Sequence, residues 1–554
     1  MEGTTPTFTG NIIIDNLTIP SGCTNYPVFS NAWSIYGTTS PSITINSGAN
    51  VTFSSKLNIG AGTTRYGLVT VNPRGFLKVN GLLTINPSGS LVVKSDYSGE
   101  GQANYGSIGG TSILSSIELY LPGGSAQFHY FVPPLAVYIG TLISDVRDAL
   151  YITNFNGDLM LYDEPSAVLK QNGWQYFDGY GSTSGFESIS PLQGYNIYLT
   201  DNDKLIFTGN LNVSNQTYNL SYTSGNADPG WNLIGNPFPC NYDLSGISAL
   251  MTDNDDINNY VYYNSNGGYV YWNPKDGTGS SVCTDIIPPM HGFFVHALSS
   301  GKSVTLPISS KTFSTAQSRM KGVGSSAKSV ATKKIKLVLN SPSQSDETMV
   351  GIFDDATLDF NQNHDANKMF NTEPSPYIYS EINGVDYFMK SIIAPSSQPI
   401  EVPLKVVLTE SGSNTIKITE FDNMEAYKIT LKHGDIQVPL TAGTIYNFNS
   451  NPGTYSDYSL VFNSILTSVD NPNETLLKTW YRNNYLYINY PSDFKAGNSE
   501  INIYDFNGRK VFGNKNLDIT PGETKQIQVS LKKGFYLTEI VTGLKQYKSK
   551  IVVY

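Results

Sequence analysis

The chain has 554 residues, 14% of them charged, 39% hydrophobic and 12% aromatic, with 50 Gly, 37 Tyr and a formal net charge of -10. That length exceeds one hydrophobic core, and so small a charged share, against ~25% in ordinary soluble proteins, excludes a coiled coil or a charged disordered tail. With 45 Asp and Glu against 35 Lys and Arg there is no basic excess to neutralise phosphates, which disfavours nucleic acid as a partner.

No window approaches the ~20 apolar residues that a membrane-spanning helix needs. The start, Met1-Glu2-Gly3-Thr4-Thr5, has neither the basic nor the apolar region of a signal peptide. Either the chain is cytosolic or a signal peptide has been removed ahead of it.

Residues 1–124 contain a repeat. Ser42-Ile43-Thr44-Ile45-Asn46, Leu68-Val69-Thr70-Val71-Asn72 and Leu82-Leu83-Thr84-Ile85-Asn86 are each followed by a Gly-containing corner and a second short strand. Alternating apolar residues point to one interior, and stacking such units gives a β-solenoid or β-helix. Its three asparagines are expected to form one ladder at one corner. A small β-sandwich with similar hairpins is the rival reading.

From 125 to 313 the strands are longer and aromatic-rich, as expected of a β-sandwich region. Tyr260 to Trp272 reads as a hairpin with its turn at Asn266-Gly267-Gly268. Residues 314–334, rich in Ser, Ala, Lys and Gly, read as a linker. A second β-sandwich is expected over 335–466, and a final module over 475–554 whose strands alternate in period two and predict a compact antiparallel sandwich. Phe506-Asn507-Gly508-Arg509 reads there as a two-residue hairpin turn. The fold class is all-β and multidomain.

The final module carries Ile503-Tyr504-Asp505-Phe506-Asn507-Gly508-Arg509-Lys510-Val511, then Lys533-Gly534-Phe535-Tyr536, then Lys548-Ser549-Lys550-Ile551. In order and spacing these segments resemble the C-terminal sorting domain of type IX secretion cargo proteins of the Bacteroidetes. The resemblance implies an Ig-like β-sandwich, a lost signal peptide, periplasmic transit and passage through the outer-membrane translocon. It also implies release at the cell surface or attachment there to lipopolysaccharide. The sorting motif it marks comprises Tyr504, Asp505, Asn507, Gly508, Lys510, Gly534, Tyr536, Lys548 and Lys550. The segments Gly230-Trp231-Asn232-Leu233-Ile234-Gly235-Asn236-Pro237 and Phe353-Asp354-Asp355-Ala356 are similar to modules of surface proteins from the same bacteria.

Other candidate sites come from residue chemistry. Tyr260, Tyr262, Tyr269 and Tyr271 share one alternation phase, and with Trp272 and Trp174 they offer flat rings that stack on sugars; burial between two sheets is the alternative. Asp253, Asp255 and Asp256, and separately Asp354, Asp355, Asp359 and Asp365, are candidate calcium ligands, with solvated turns as the alternative. Cys240 and Cys283 form either a disulfide or two buried thiols, and Cys23 is left over. Asp158 with Asp163 and Glu164 is the nearest approach to a glycosidase acid pair.

No catalytic motif emerges, and no cofactor is expected apart from calcium at the acidic clusters. The reading is a secreted, non-enzymatic adhesin that binds surface polysaccharide, lipopolysaccharide or another envelope component. A polysaccharide hydrolase or lyase and a self-assembling surface-layer or filament subunit are the alternatives.

Overall fold

The structure, a computed structural model, describes residues 12–13, 16–21, 28–109, 115–123, 128–138, 159–167, 173–177, 186, 189–199, 201–252, 256–265, 268–280, 283–313, 333–357, 359–370, 374–396, 398–464, 477–491, 497–542 and 545–553. Cys23, Asp158, Asp253, Asp255, Asn266, Gly267 and residues 314–332 lie outside these. The chain forms two compact units, Met1–Ser464 and Ile465–Tyr554.

The first unit begins as a parallel solenoid. Strands Asn16–Ile19, Ser42–Ile45, Gly67–Val71, Gly89–Val93 and Ser115–Leu121 stack into one sheet. Asn50–Phe53, Phe76–Ile85 and Gln102–Gly109, with Trp33–Ile35 and Leu57–Ile59, form the other. Alternation sends Ile43, Ile45, Val69, Val71, Leu91 and Val93 into a common interior.

The corner chemistry is as the repeat implies, but the ladder is not. The N–H groups of Ala49, Gly75 and Gly89 each close on the carbonyl of Asn46, Asn72 and Asn86 respectively, at 3.0, 2.8 and 2.8 Å. Asn72 Nδ2 donates to Asn46 Oδ1 at 2.9 Å across one 26-residue rung. Asn86 belongs to the next corner of the coil and donates instead to the Gly60 carbonyl at 2.7 Å. One local turn thus serves two corners, so sequence similarity alone merged them.

The parallel stack ends when Ser115–Leu121 pairs antiparallel with Asp203–Leu211, which in turn pairs with Leu135–Tyr138. Phe131, Leu135, Ile197, Leu205 and Phe207 join the solenoid's own core. The interior therefore runs without interruption past the limit expected at 124.

The next layer is a five-stranded sheet in the order Trp231–Gly235, Gly292–His296, Val261–Ser265, Gly268–Asn273, Thr278–Gly279. One face packs on Phe238, Tyr242, Leu244 and Ile287, the other on Tyr130, Met349, Phe388 and Met389. The covering segment around Phe238 and Tyr242 is fastened to the solenoid by Ala103 N donating to Pro239 O at 2.8 Å and by Asn241 N donating to Gln102 Oε1 at 3.1 Å. Lys311 completes the seam: its Nζ lies 3.7 Å from the Tyr105 ring centre and donates to the Tyr105 carbonyl.

An eleven-stranded sheet fills 333–464, and strands at both ends of its order contribute to one core through Leu440 and Phe448. Its first strand, Lys333–Asn340, begins two residues inside the expected linker, because Lys334 pairs with Glu420 at 2.7 Å.

The second unit is the expected antiparallel sandwich. One sheet is Lys478–Arg482, Tyr485–Asn489 and Thr524–Gln528; the other is Lys510–Ile519, Gly497–Asp505, Gly534–Thr542 and Lys545–Val553. Leu486, Ile488, Ile501, Ile503, Ile527, Ile540 and Ile551 make its core. Among the described residues of both units, no helix is long and apolar enough to cross a membrane.

Two outcomes test this account. A Cβ on Gly89 would lie 2.2 Å from the Ile59 carbonyl oxygen of the rung beneath; Gly89→Ala is expected to cost about 3 kcal/mol or more in urea denaturation of the whole protein. Burial pushes the Lys311 ammonium down from its ordinary 10.5 to about 8, so the unfolded chain binds more protons between those values. Stability should therefore rise from pH 8 to 9.5, below the ordinary tyrosine range, and Lys311→Met should flatten that rise.

Candidate functional site

The aromatic hairpin forms, but its stripe faces inward. Val261–Ser265 and Gly268–Asn273 pair so that Tyr262 stands opposite Tyr271. Tyr260, Tyr262 and Tyr271 are fully buried. Tyr271 stacks on Phe388 at 3.7 Å, and Tyr262 meets Trp231 edge-on at 4.7 Å. Tyr271 Oη accepts from Met369 N at 3.1 Å, and Tyr262 donates to Asn258 Oδ1 at the same distance. Tyr269 shares a 2.9 Å hydrogen bond with Tyr130, and burial pushes its phenol up to about 12. Trp272 turns to the opposite face, where its indole donates to Asp285. Trp174 packs 5.3 Å from Tyr162 in the same cluster as the tyrosines. Sugar stacking on this stripe is thereby corrected: period-two alternation fixed which rings share a face, while the 333–464 sheet, remote in sequence, covers it.

The acidic loop 354–365 is likewise occupied from within. Lys390 Nζ donates to the carbonyls of Thr357 at 3.2 Å and Asp359 at 3.1 Å and to the Asp365 carboxylate at 2.6 Å. The position where these oxygens converge is therefore filled by an ammonium group. Asp365 also accepts from Ser391 N and Asn361 N; burial pushes its carboxyl up while Lys390 draws it back. Asp355 faces His364 at 3.0 Å, whose other ring nitrogen lies 3.2 Å from Asp276. Asp354 is exposed. In the other cluster Asp256 pairs with Lys302 at 2.6 Å. Among the described residues, no three of His, Cys, Asp and Glu come together as a metal site.

Cys240 and Cys283 are free thiols buried in one apolar cluster. Cys240 lies within electrostatic reach of Lys311 and Tyr105, and Cys283 within that of Glu347 and Lys336; the two thiols are not bonded to each other. Burial pushes the Cys240 thiol up to about 12. Of the acids considered for hydrolysis, Glu164 is buried and accepts from Thr223 N and Gly230 N, both at 2.9 Å, and from Thr223 Oγ1 at 2.8 Å. It anchors a loop. Asp163 accepts from Gln175 at 2.8 Å and from Ser166.

The sorting motif is a set of surface locks on the second unit. Asp505 Oδ1 accepts from Asn507 N and Arg509 N, both at 3.0 Å, and Oδ2 from Arg509 Nε at 3.1 Å. These bonds hold its carboxyl below the usual range. Asp505 N donates to Arg509 O while Gly508, at φ +75°, takes the left-handed position. The turn is thus one residue longer than the two-residue hairpin expected, and the register shifts beside it. Tyr504 Oη donates to Glu539 at 3.0 Å, which Lys548 approaches at 3.6 Å. Tyr536 closes the following turn by donating to Lys532 O at 2.9 Å, with Gly534 between them. Lys510 lies 3.8 Å from Glu500, and Lys550 is exposed.

One exposed cluster was not singled out from the sequence. The Arg65 guanidinium lies 5.4 Å over the Tyr36 ring, and Tyr66 beside it keeps 50% of its surface. Gly37 and Tyr66 exchange two backbone hydrogen bonds of 2.9 Å, and Ser88 Oγ donates to Arg65 O at 2.6 Å. Tyr66 immediately precedes the strand Gly67–Val71, on whose sheet Thr18, Thr44 and Thr70 form one outward column and Asn16, Ser42 and Leu68 the row nearer Tyr66. Its one signal was the corner 60–66, longer than the tight asparagine corners.

A family model described as "Domain of unknown function (DUF8693)" matches residues 182–462, just over half the chain. A second, described as "Secretion system C-terminal sorting domain", matches residues 482–554. No curated protein matches significantly. Among solved structures, one titled "Biofilm associated protein - BSP domain" aligns over 79% of this chain and 95% of its own at 9% identity, with a TM-score of 0.12.

The lysine-filled loop gives a direct test. Lys390→Met leaves a buried carboxylate unpaired and is expected to cost about 3–5 kcal/mol in urea denaturation. Adding Asp365→Asn to Lys390→Met should restore part of that loss, and a double variant no more stable than the single one would contradict the pairing.

Proposed function

We propose, for a chain that belongs to the family of the "Domain of unknown function (DUF8693)", a non-enzymatic role in binding glycans at the cell surface. Its terminal sorting domain makes it a type IX secretion cargo protein, which engages that secretion machinery and is exported to the cell surface or the extracellular space. The observation that carries the binding role is the cluster of half-buried Tyr36 with exposed Arg65 and Tyr66, on a solenoid whose outward positions include Asn16, Thr18, Ser42, Thr44 and Thr70.

Physical chemistry links that cluster to sugars. Aromatic rings cover the apolar faces of pyranoses, and hydroxyl and amide groups satisfy the sugar hydroxyls as both donors and acceptors. A solenoid keeps such groups in fixed columns at strand spacing, so little ordering entropy is lost on binding. The same chemistry suits surface polysaccharide or the sugars of lipopolysaccharide. The buried acids do not compete with this reading. Glu164, Asp346 and Asp365 are spent on backbone N–H groups, hydroxyls and lysines.

Binding by the purified protein on an array of neutral and lipopolysaccharide-derived glycans is the test. Tyr66→Ala is expected to weaken binding about twofold to twelvefold, the worth of ~0.5–1.5 kcal/mol of aromatic contact, with the melting temperature unchanged. Unchanged affinity, or release of reducing sugar from a bound polymer, would sink the proposal.

A further inference from the structure

The two units carry opposite charge. Residues 465–554 contain twelve Lys and Arg against eight Asp and Glu, whereas residues 1–464 contain twenty-three against thirty-seven. An acidic protein thus ends in a basic sandwich. The outward face of its three-stranded sheet is a three-by-three array fixed by register. Lys478, Asn489 and Thr524 form one row, Trp480, Tyr487 and Gln526 the next, and Arg482, Tyr485 and Gln528 the third. Every one of the nine is exposed or half-buried, while Leu486, Ile488 and Ile527 between them point into the core.

Three features of that array bear on a ligand. Trp480 keeps 40% of its surface and lies parallel to Tyr487, with ring centres 5.2 Å apart and planes 3° from parallel. Lys478 and Arg482 are both exposed, and none of the nine positions bears a carboxylate. Gln526, Gln528 and Asn489 bring amides, each able to donate and accept; Asn489 Nδ2 already donates to Thr524 Oγ1 at 2.9 Å.

From this array we infer a second binding site, one for acidic polysaccharide, on the Lys478–Arg482, Tyr485–Asn489 and Thr524–Gln528 face. The stacked pair supplies a surface for a sugar ring, the two cations meet carboxylate, sulfate or phosphate groups along the polymer, and the amides engage hydroxyls. Only two cations stand among the nine positions, few for a polymer charged at every nucleotide, and the four neutral amide and hydroxyl side chains suit a hydroxyl-rich polymer. The site lies in a different unit from the solenoid cluster and does not depend on it.

Affinity electrophoresis of the full chain in gels containing polygalacturonate, dextran or oligo(dT) tests the inference. Retardation is expected in polygalacturonate, weakening as salt rises, and not in dextran. Trp480→Ala should weaken binding at least fivefold, and Lys478→Gln with Arg482→Gln should remove most of the salt dependence. Because Trp480 is substantially exposed, thermal melts of each variant should match the parent. No retardation in polygalacturonate overturns the proposal. So does retardation that survives Trp480→Ala, which would reduce it to charge alone, or equal affinity for oligo(dT).

Discussion

Tyr271 lies 3.7 Å over Phe388, and the organisation of the large unit follows from that stack. The five-stranded sheet around Tyr262 and Tyr271 is apolar on both faces, so it requires a cover on each. The elements around Phe238 and Tyr242 provide one, and Met349, Phe388 and Met389 of the following sheet provide the other. Without the second cover, Trp231, Tyr262, Tyr271 and Phe294 would together expose an apolar surface far larger than a soluble chain ordinarily tolerates. Regions separable by composition therefore share cores, and the Met1–Ser464 unit holds together as one body.

The sequence conveyed local geometry well and partners in space poorly. The solenoid was legible because its period, alternation and glycine corners are all local properties. The same locality misled at Asn86, since one turn conformation recurs at two corners of each rung and only the stacked neighbour, Gly60 rather than Asn72, tells them apart. The tyrosine stripe was legible as a shared face, whereas its cover comes from Phe388, more than a hundred residues later. In the acidic loop the oxygens were visible and their cation was not, because Lys390 reaches Asp365 from another strand. The sorting module was the most legible part. Its motif residues act on neighbours close in the chain or diagonal on the paired strand, as Asp505 does on Arg509 and Tyr504 on Glu539.

Charge placement divides the molecule as clearly as packing does. In the large unit most buried charges are structural: Lys336 lies against Glu420, Lys368 against Asp346 and Lys390 against Asp365. Pairs of this kind contribute little net stability once desolvation is counted, but a missing partner is costly, so they favour one arrangement of neighbouring loops over others. In the terminal unit the cations Lys478 and Arg482 stand in solvent instead, where they act on whatever approaches.

The lysine within the 354–365 loop has an environmental consequence. Secreted proteins often use a borrowed divalent ion to hold acidic loops, which ties their shape to the composition of the surrounding fluid. Here the positive charge is covalently part of the polypeptide and arrives with it. The oxygens of Thr357, Asp359 and Asp365 therefore meet a charge that can be neither diluted away nor chelated.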